Sequence, residues 1–205
     1  MKNIILFNED EIDCLQELMN IAYGSATAAI ADIIDAFATL SIPVIKILES
    51  NQLKSYLSQN IDMSSPHLLA TQILNGELSG ENLFLIDKVS AIKMATQFDL
   101  AEENMEDEEL EDVVLEITNI LSSSIISSLA SEMGANASFS PPSLKYINSE
   151  DNINDDFQKQ YNKVIIISTK LSFEAHDINA TIIMLTTDKS ITYIKNVINK
   201  ILEEF

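Results

Sequence analysis

The stretch DVVLEITN, residues 112–119, places Asp112, Glu116 and Asn119 at i, i+4 and i+7. On a helix turning about 100° per residue, these three project within roughly 60° of one another. An acid, an acid and an amide on one stripe can simply be the face that a helix shows to water. They can also do chemistry, and the residue types limit which. A carboxamide neither ionises near neutral pH nor attacks carbonyls, so covalent catalysis is a poor use for it. Its oxygen accepts and its nitrogen donates, which suits it to orienting a nucleophilic water for in-line attack on a phosphoryl group. If a partner brings the phosphoryl group and the metal, nothing more is required from this chain. A glutamate one turn away is then free to pair with a cation on that partner and fix the register.

The stripe occurs twice. DCLQELMN, residues 13–20, sets Asp13, Glu17 and Asn20 at the same spacing, 99 positions earlier. The offset persists downstream, matching Ser25 with Ser124, Ala31 with Ala130, Pro43 with Pro142 and Lys46 with Lys145. A constant offset of this kind marks an internal duplication. It divides the 205 residues into two pseudo-symmetric halves, about 1–100 and 101–205, of a single domain.

The elements that must position the stripes follow from hydrophobic periodicity. Residues 9–38 read as one long helix with Leu15, Leu18, Met19, Ala22, Ala26, Ala29, Ile30 and Ile33 on one face, and the second stripe lies on its counterpart. PVIKIL (43–48) and SLKYI (143–147) read as strands, and polar loops follow over 49–66 and 148–162. HLLATQIL with NLFLID, and KVIIISTKLSF with NATIIMLTTD, read as hairpins. Asp87 and Asp188 then suit the N-caps of helices over KVSAIKMATQF and KSITYIKNVINKIL. Each half is therefore helix, strand, hairpin, helix. Consecutive hairpins imply an antiparallel sheet covered by helices, an α+β architecture in which two long helices carry the motifs.

Small residues continue each stripe: Gly24, Ala28 and Ala31 in the first copy, Ser123, Ser127 and Ala130 in the second. They form either a shallow lane that admits another protein's backbone or the contact through which the two long helices pack. The acidic run over 101–112 is similarly open between a docking surface for a basic partner and a solvated helix start.

Other chemistries find little support. His67 and His176 stand far apart with no second ligand at zinc spacing, so the chain is expected to hold no metal of its own. With four glycines there is no phosphate-cradling loop, dinucleotide fingerprint or G-x-S-x-G. The formal charge of −20 opposes binding to nucleic acid or to an anionic membrane surface. Residues 21–45 are apolar enough to resemble a membrane span, but Asp32 and Asp35 would each cost about 2.5–3.5 kcal/mol at a bilayer centre. A buried helix face without membrane insertion is expected instead. The apolar run of MKNIILFNEDEID is too short for a signal peptide. The single cysteine, Cys14, excludes an internal disulfide, reads as a structural thiol and fits a cytoplasmic location.

The pattern of Asp or Ser, three residues, Glu, two residues, Asn, then about 22 residues and Pro resembles the signature of the CheC, CheX and FliY phosphatases of bacterial chemotaxis. It stands here as Asp13, Glu17, Asn20 and Pro43, and again as Asp112, Glu116, Asn119 and Pro142. Length and duplication make the layout most similar to CheC. The resemblance implies hydrolysis of the aspartyl phosphate on a CheY-type response regulator. It makes Asn20 and Asn119 the water-orienting groups, and pairs Glu17 and Glu116 with the receiver's active-site lysine. Asp13 and Asp112 support the motif, and Pro43 and Pro142 shape the exit from the helix. Mg²⁺ would come with the phosphorylated receiver, and the deamidase CheD is a further partner of the family. Members commonly carry a Gly-rich turn after the Asn, where this chain has NIAYGS and NILSSS. The altered turns and acidic surface leave a rival reading, a non-catalytic module that docks on a receiver or on CheD and sequesters it.

Overall fold

The computed structural model describes residues 7–34, 39–61, 64–98, 100, 105–147, 163–173 and 178–204. The first half runs α1 (Glu9–Ile34), β1 (Thr39–Leu40), β2 (Val44–Glu49), α2 (Leu53–Asn60), β3 (His67–Gly76), β4 (Gly80–Asp87) and α3 (Lys88–Thr96). The second runs α4 (Asp107–Met133), β5 (Ala137–Phe139), β6 (Ser143–Ile147), β7 (Lys163–Phe173), β8 (Ile178–Thr186) and α5 (Asp188–Glu203). Among the described residues, the order of elements is the same in both apart from α2.

The eight strands of the described residues form one antiparallel sheet in the order β1-β7-β8-β4-β3-β5, with β2 also beside β7 and β6 also beside β3. The short strands of each half therefore pair with the hairpin of the other half. The two hairpins meet along β4 and β8, where Leu83 stands opposite Ile183.

Both faces are buried over Leu83–Ile86 of β4 and Val164–Ile167 of β7, and each of these stretches is continuously apolar. Phe84, Ile86, Ile165 and Ile167 face a core built with α1, α3, α4 and α5, from which Leu15, Met19, Ala22, Tyr23, Ile117, Leu121, Ile125 and Ile194 project. Leu83, Leu85, Val164 and Ile166 face the other way, onto Leu53, Leu57 and Ile61. The long helices α1 and α4 pack against each other. Among the described residues α4 alone is long and apolar enough to cross a membrane, but Val114, Ile117, Leu121, Ile125 and Leu129 are buried in the core.

Local signals start and stop these helices. At α1, Asn8 Oδ1 accepts from Glu11 N at 2.8 Å while Glu11 Oε2 accepts from Asn8 N at 2.7 Å, a reciprocal capping box. Helix α4 ends on Gly134 at φ 59°, a left-handed position that costs glycine little. Asp87 caps α3 as expected, accepting from Ser90 N at 2.9 Å.

Several expectations are corrected. The loop read over 49–66 contains a 3-10 turn and α2, whose Leu53 and Leu57 cover the second face of the sheet. The cap of α5 is Thr187, accepting from Ser190 N at 3.2 Å, and Asp188 instead accepts from Lys163 N at 3.1 Å. Ile33, read as core, is exposed, whereas Tyr23 is buried in its place. The last residues of the first helix as read (35–38), the loop over 148–162 and His176 lie outside the described residues.

Candidate functional site

Asp13, Glu17 and Asn20 are all exposed on α1. Asp112 and Glu116 are exposed on α4, and Asn119 is half-buried. Their neighbouring positions Leu15, Leu18, Met19, Ile117, Thr118 and Leu121 are buried, so packing of the long helices fixes which way each stripe faces. Beyond each asparagine lies an open depression. The first is lined by Asn20, Gly24, Ala28 and Ala31 of α1 and by residues 39–42. The second is lined by Asp112, Leu115, Glu116 and Asn119 of α4 and by residues 139–142. The small residues of the first copy do form a lane, while Asp13 and Glu17 stand outside it. In the second copy both acids line the depression and Ser123, Ser127 and Ala130 do not.

The prolines do something other than shape a helix exit. Pro43 lies between β1 and β2, and Pro142 between β5 and β6. The register advances from Leu40↔Leu171 to Val44↔Ser168, so residues 41–43 oppose only residues 169–170. In the other half it advances from Phe139↔Leu74 to Ser143↔Thr71, the same one-residue bulge. A proline is tolerated in a sheet at such a point because no ladder donor is needed there.

Sequence reasoning missed the residues that hold the bulges. Ser41 N donates to Lys170 O at 2.9 Å, and Ser41 Oγ accepts from Lys170 N at 3.0 Å. Ser140 N donates to Ile73 O at 3.0 Å, and Ser140 Oγ accepts from Ile73 N at 3.2 Å. Each serine carbonyl also accepts a side-chain bond, at 2.6 Å from Thr169 Oγ1 to Ser41 and at 2.7 Å from Gln72 Nε2 to Ser140. The repeated S-x-P at 41–43 and 140–142 was the signal available for the serines.

The two sites differ at this last contact. Gln72 Nε2 also donates to Asn119 Oδ1 at 3.0 Å. Thr169, its counterpart by register, is shorter, and among the described residues its side chain bonds within the bulge, to Ser41 O and Ser41 Oγ. Asn20 has no side-chain hydrogen bond among the described residues.

Remaining candidates stay outside the sites. His67 is buried on β3 with Nδ1 2.8 Å from Ser65 O. Burial pushes the Cys14 thiol up, away from the reactive thiolate. Among the described residues no three His, Cys, Asp or Glu side chains converge as a metal site.

A family model for the chemotaxis phosphatase CheX matches residues 68–166, a span that contains Gln72, Glu116, Asn119 and Pro142. No curated protein matches the chain. The solved structure of Thermotoga maritima FliY is similar over 96% of this chain and 99% of its own, at 20% identity and a TM-score of 0.74. CheX in a CheX–CheY–BeF3–Mg²⁺ complex from Borrelia burgdorferi is similar over 83% of this chain and 96% of its own, at 16% identity and 0.51. FliM in a FliM–SpeE complex from Helicobacter pylori is similar over 95% and 97%, at 8% identity and 0.66. A CheX-type sequence match over residues 68–166 thus lies on a fold that the chain shares with FliY and CheX.

Proposed function

We propose that this chain hydrolyses the aspartyl phosphate of a CheY-type receiver domain at two sites, centred on Asn20 and Asn119. One observation carries the reading: both carboxamides reach the surface of a long helix at the edge of an open depression, each one turn after an exposed glutamate. An open surface of this kind suits a folded partner that brings its own reacting group. The CheX–CheY complex adds support, because a chain of similar fold is bound there to CheY with BeF3 and Mg²⁺.

In this mechanism Glu17 or Glu116 pairs with a cation of the receiver and sets the register. Asn20 or Asn119 accepts a hydrogen bond from a water and aims its oxygen at phosphorus. A bond forms between the water oxygen and phosphorus as the phosphorus–aspartyl oxygen bond breaks, the aspartate departs as its carboxylate, and both protons of the water leave with inorganic phosphate as H2PO4⁻. The carboxamide is unchanged. The metal belongs to the receiver as part of the substrate, and the reaction is assigned to the cytoplasm.

A second reading is docking on a receiver or on CheD without turnover; the similarity to FliM, held in a complex with SpeE, fits only its coarser part, a fold that docks on another protein. A receiver phosphorylated with a small-molecule phosphodonor, supplied at twentyfold excess over this chain, separates the two. The phosphatase reading expects release of inorganic phosphate well beyond one equivalent per chain. Binding at one or two equivalents with an unchanged phosphate lifetime would establish sequestration instead.

A further inference from the structure

We infer that Gln72 is a positioning residue for Asn119, fixing which end of that carboxamide faces the depression, and that no described residue does the same for Asn20. The catalytic part of this inference rests on the phosphatase reading. The positioning part does not.

The hydrogen-bond inventory determines the orientation. Ser140 O is a backbone carbonyl and can only accept, so the end of Gln72 that meets it at 2.7 Å must be the Nε2 amide. The same Nε2 lies 3.0 Å from Asn119, so the atom facing it must be Oδ1. Turning Asn119 over would set its own N–H groups against those of Gln72. One lone pair of Oδ1 is thereby occupied, the other has a single direction, and Nδ2 is left for contacts outside the sheet. A water that donates to the remaining lone pair is then placed in one spot before any partner arrives, and orientation held in advance lowers the cost of reaching the attacking geometry.

Gln72 is fully buried, and its Oε1 has no hydrogen-bond partner among the described residues. A buried acceptor left unsatisfied is unfavourable, so its burial does not explain an amide at this position. Its two donated bonds do. The bulge alone asks for less, since Thr169 serves Ser41 in the other half with one hydroxyl. The additional reach of Gln72 is used on Asn119.

Two measurements on the full chain test this. In the first, side-chain ¹⁵N relaxation of Asn119 and Asn20 is compared in wild type and Gln72→Met. The expected result is an order parameter above about 0.8 for Asn119 in wild type, falling below about 0.6 in the variant, with Asn20 low in both. Equal order for Asn119 with and without Gln72 would overturn the positioning. In the second, kcat and KM for the phosphorylated receiver are measured in an Asn20→Ala background. Gln72→Met is expected to lower kcat about tenfold with little change in KM. Combining Gln72→Met with Asn119→Ala should lose no more than Asn119→Ala alone.

An ordered Asn119 whose loosening leaves kcat intact would overturn the catalytic part while the phosphatase reading stood. Absence of any Asn-dependent hydrolysis would defeat that reading, and with it the catalytic part, leaving the relaxation result to decide the positioning. Gln72→Thr, which installs the residue of the equivalent position, serves in both arms if the Met variant does not fold.

Discussion

Glu17 and Glu116 stand exposed one turn before the two asparagines, where a carboxylate gains little from its own chain and is free for a partner's cation. Charge-assisted bonds of this type contribute about 1.5–3 kcal/mol when the pair is desolvated, so Glu17→Lys or Glu116→Lys is expected to raise KM at its own site roughly 10- to 100-fold. Steady-state kinetics against a phosphorylated receiver, with the other site silenced at its asparagine, checks this, and an unchanged KM would remove the glutamates from the docking scheme. These acids and the asparagines were legible in the sequence because each copy repeats them at one offset. Gln72 was not. It meets Asn119 across 47 positions from a different element, and its counterpart Thr169 is a different residue type that the strand register, not the offset of 99, identifies.

At the scale of elements, the start of α1 ties the first site to α5. The Glu11 carboxylate is buried, which by itself raises its pKa. The hydrogen bonds from Lys195 Nζ at 2.6 Å and from Asn8 N outweigh that and leave it below the ordinary value of 4.5. A carboxyl held lower in the folded than in the unfolded chain adds stability above the unfolded value, and that stability disappears as pH falls through the folded one. Lys195→Met is therefore expected to cost about 1.5–3 kcal/mol near pH 7. The gap from wild type should close on acidification below 4.5, as thermal denaturation across pH 3–7 would reveal. A gap that widens in acid would contradict the assignment.

The long helices and both hairpins were readable from apolar periodicity alone. Helix α2 was not, because LKSYLSQN offers two buried leucines in eight residues and is decided by the sheet face it covers. The bulges were hidden for a similar reason. They exist only in the register between the short strands of one half and the hairpin of the other.

For the whole molecule, that exchange of strands makes each half depend on the other. Strand β2 pairs with β7, β6 with β3, and β4 with β8, so separating the halves would expose the edges and the apolar faces together. Fragments 1–100 and 101–205 are expected to be unfolded alone and to recover dispersed amide spectra only when mixed. An independently folded half would contradict the single-domain account. The seam is also tightly built: at Gly80, φ 154°, an added Cβ would clash with Leu185 O on β8. Gly80→Ala should accordingly cost about 3 kcal/mol in denaturant unfolding, through backbone strain and overpacking. A stability within experimental error of wild type would show that the seam can yield.

The two depressions this sheet supports matter only if their asparagines direct water onto a partner's phosphorus. The most direct measurement is phosphate release from a phosphorylated CheY-type receiver by wild type, Asn20→Ala, Asn119→Ala and the double variant at equal concentration. Each active site should lose about 10²- to 10³-fold with its carboxamide, and the double variant should fall to the receiver's spontaneous rate while remaining folded. A double variant that releases phosphate as fast as wild type would contradict the account.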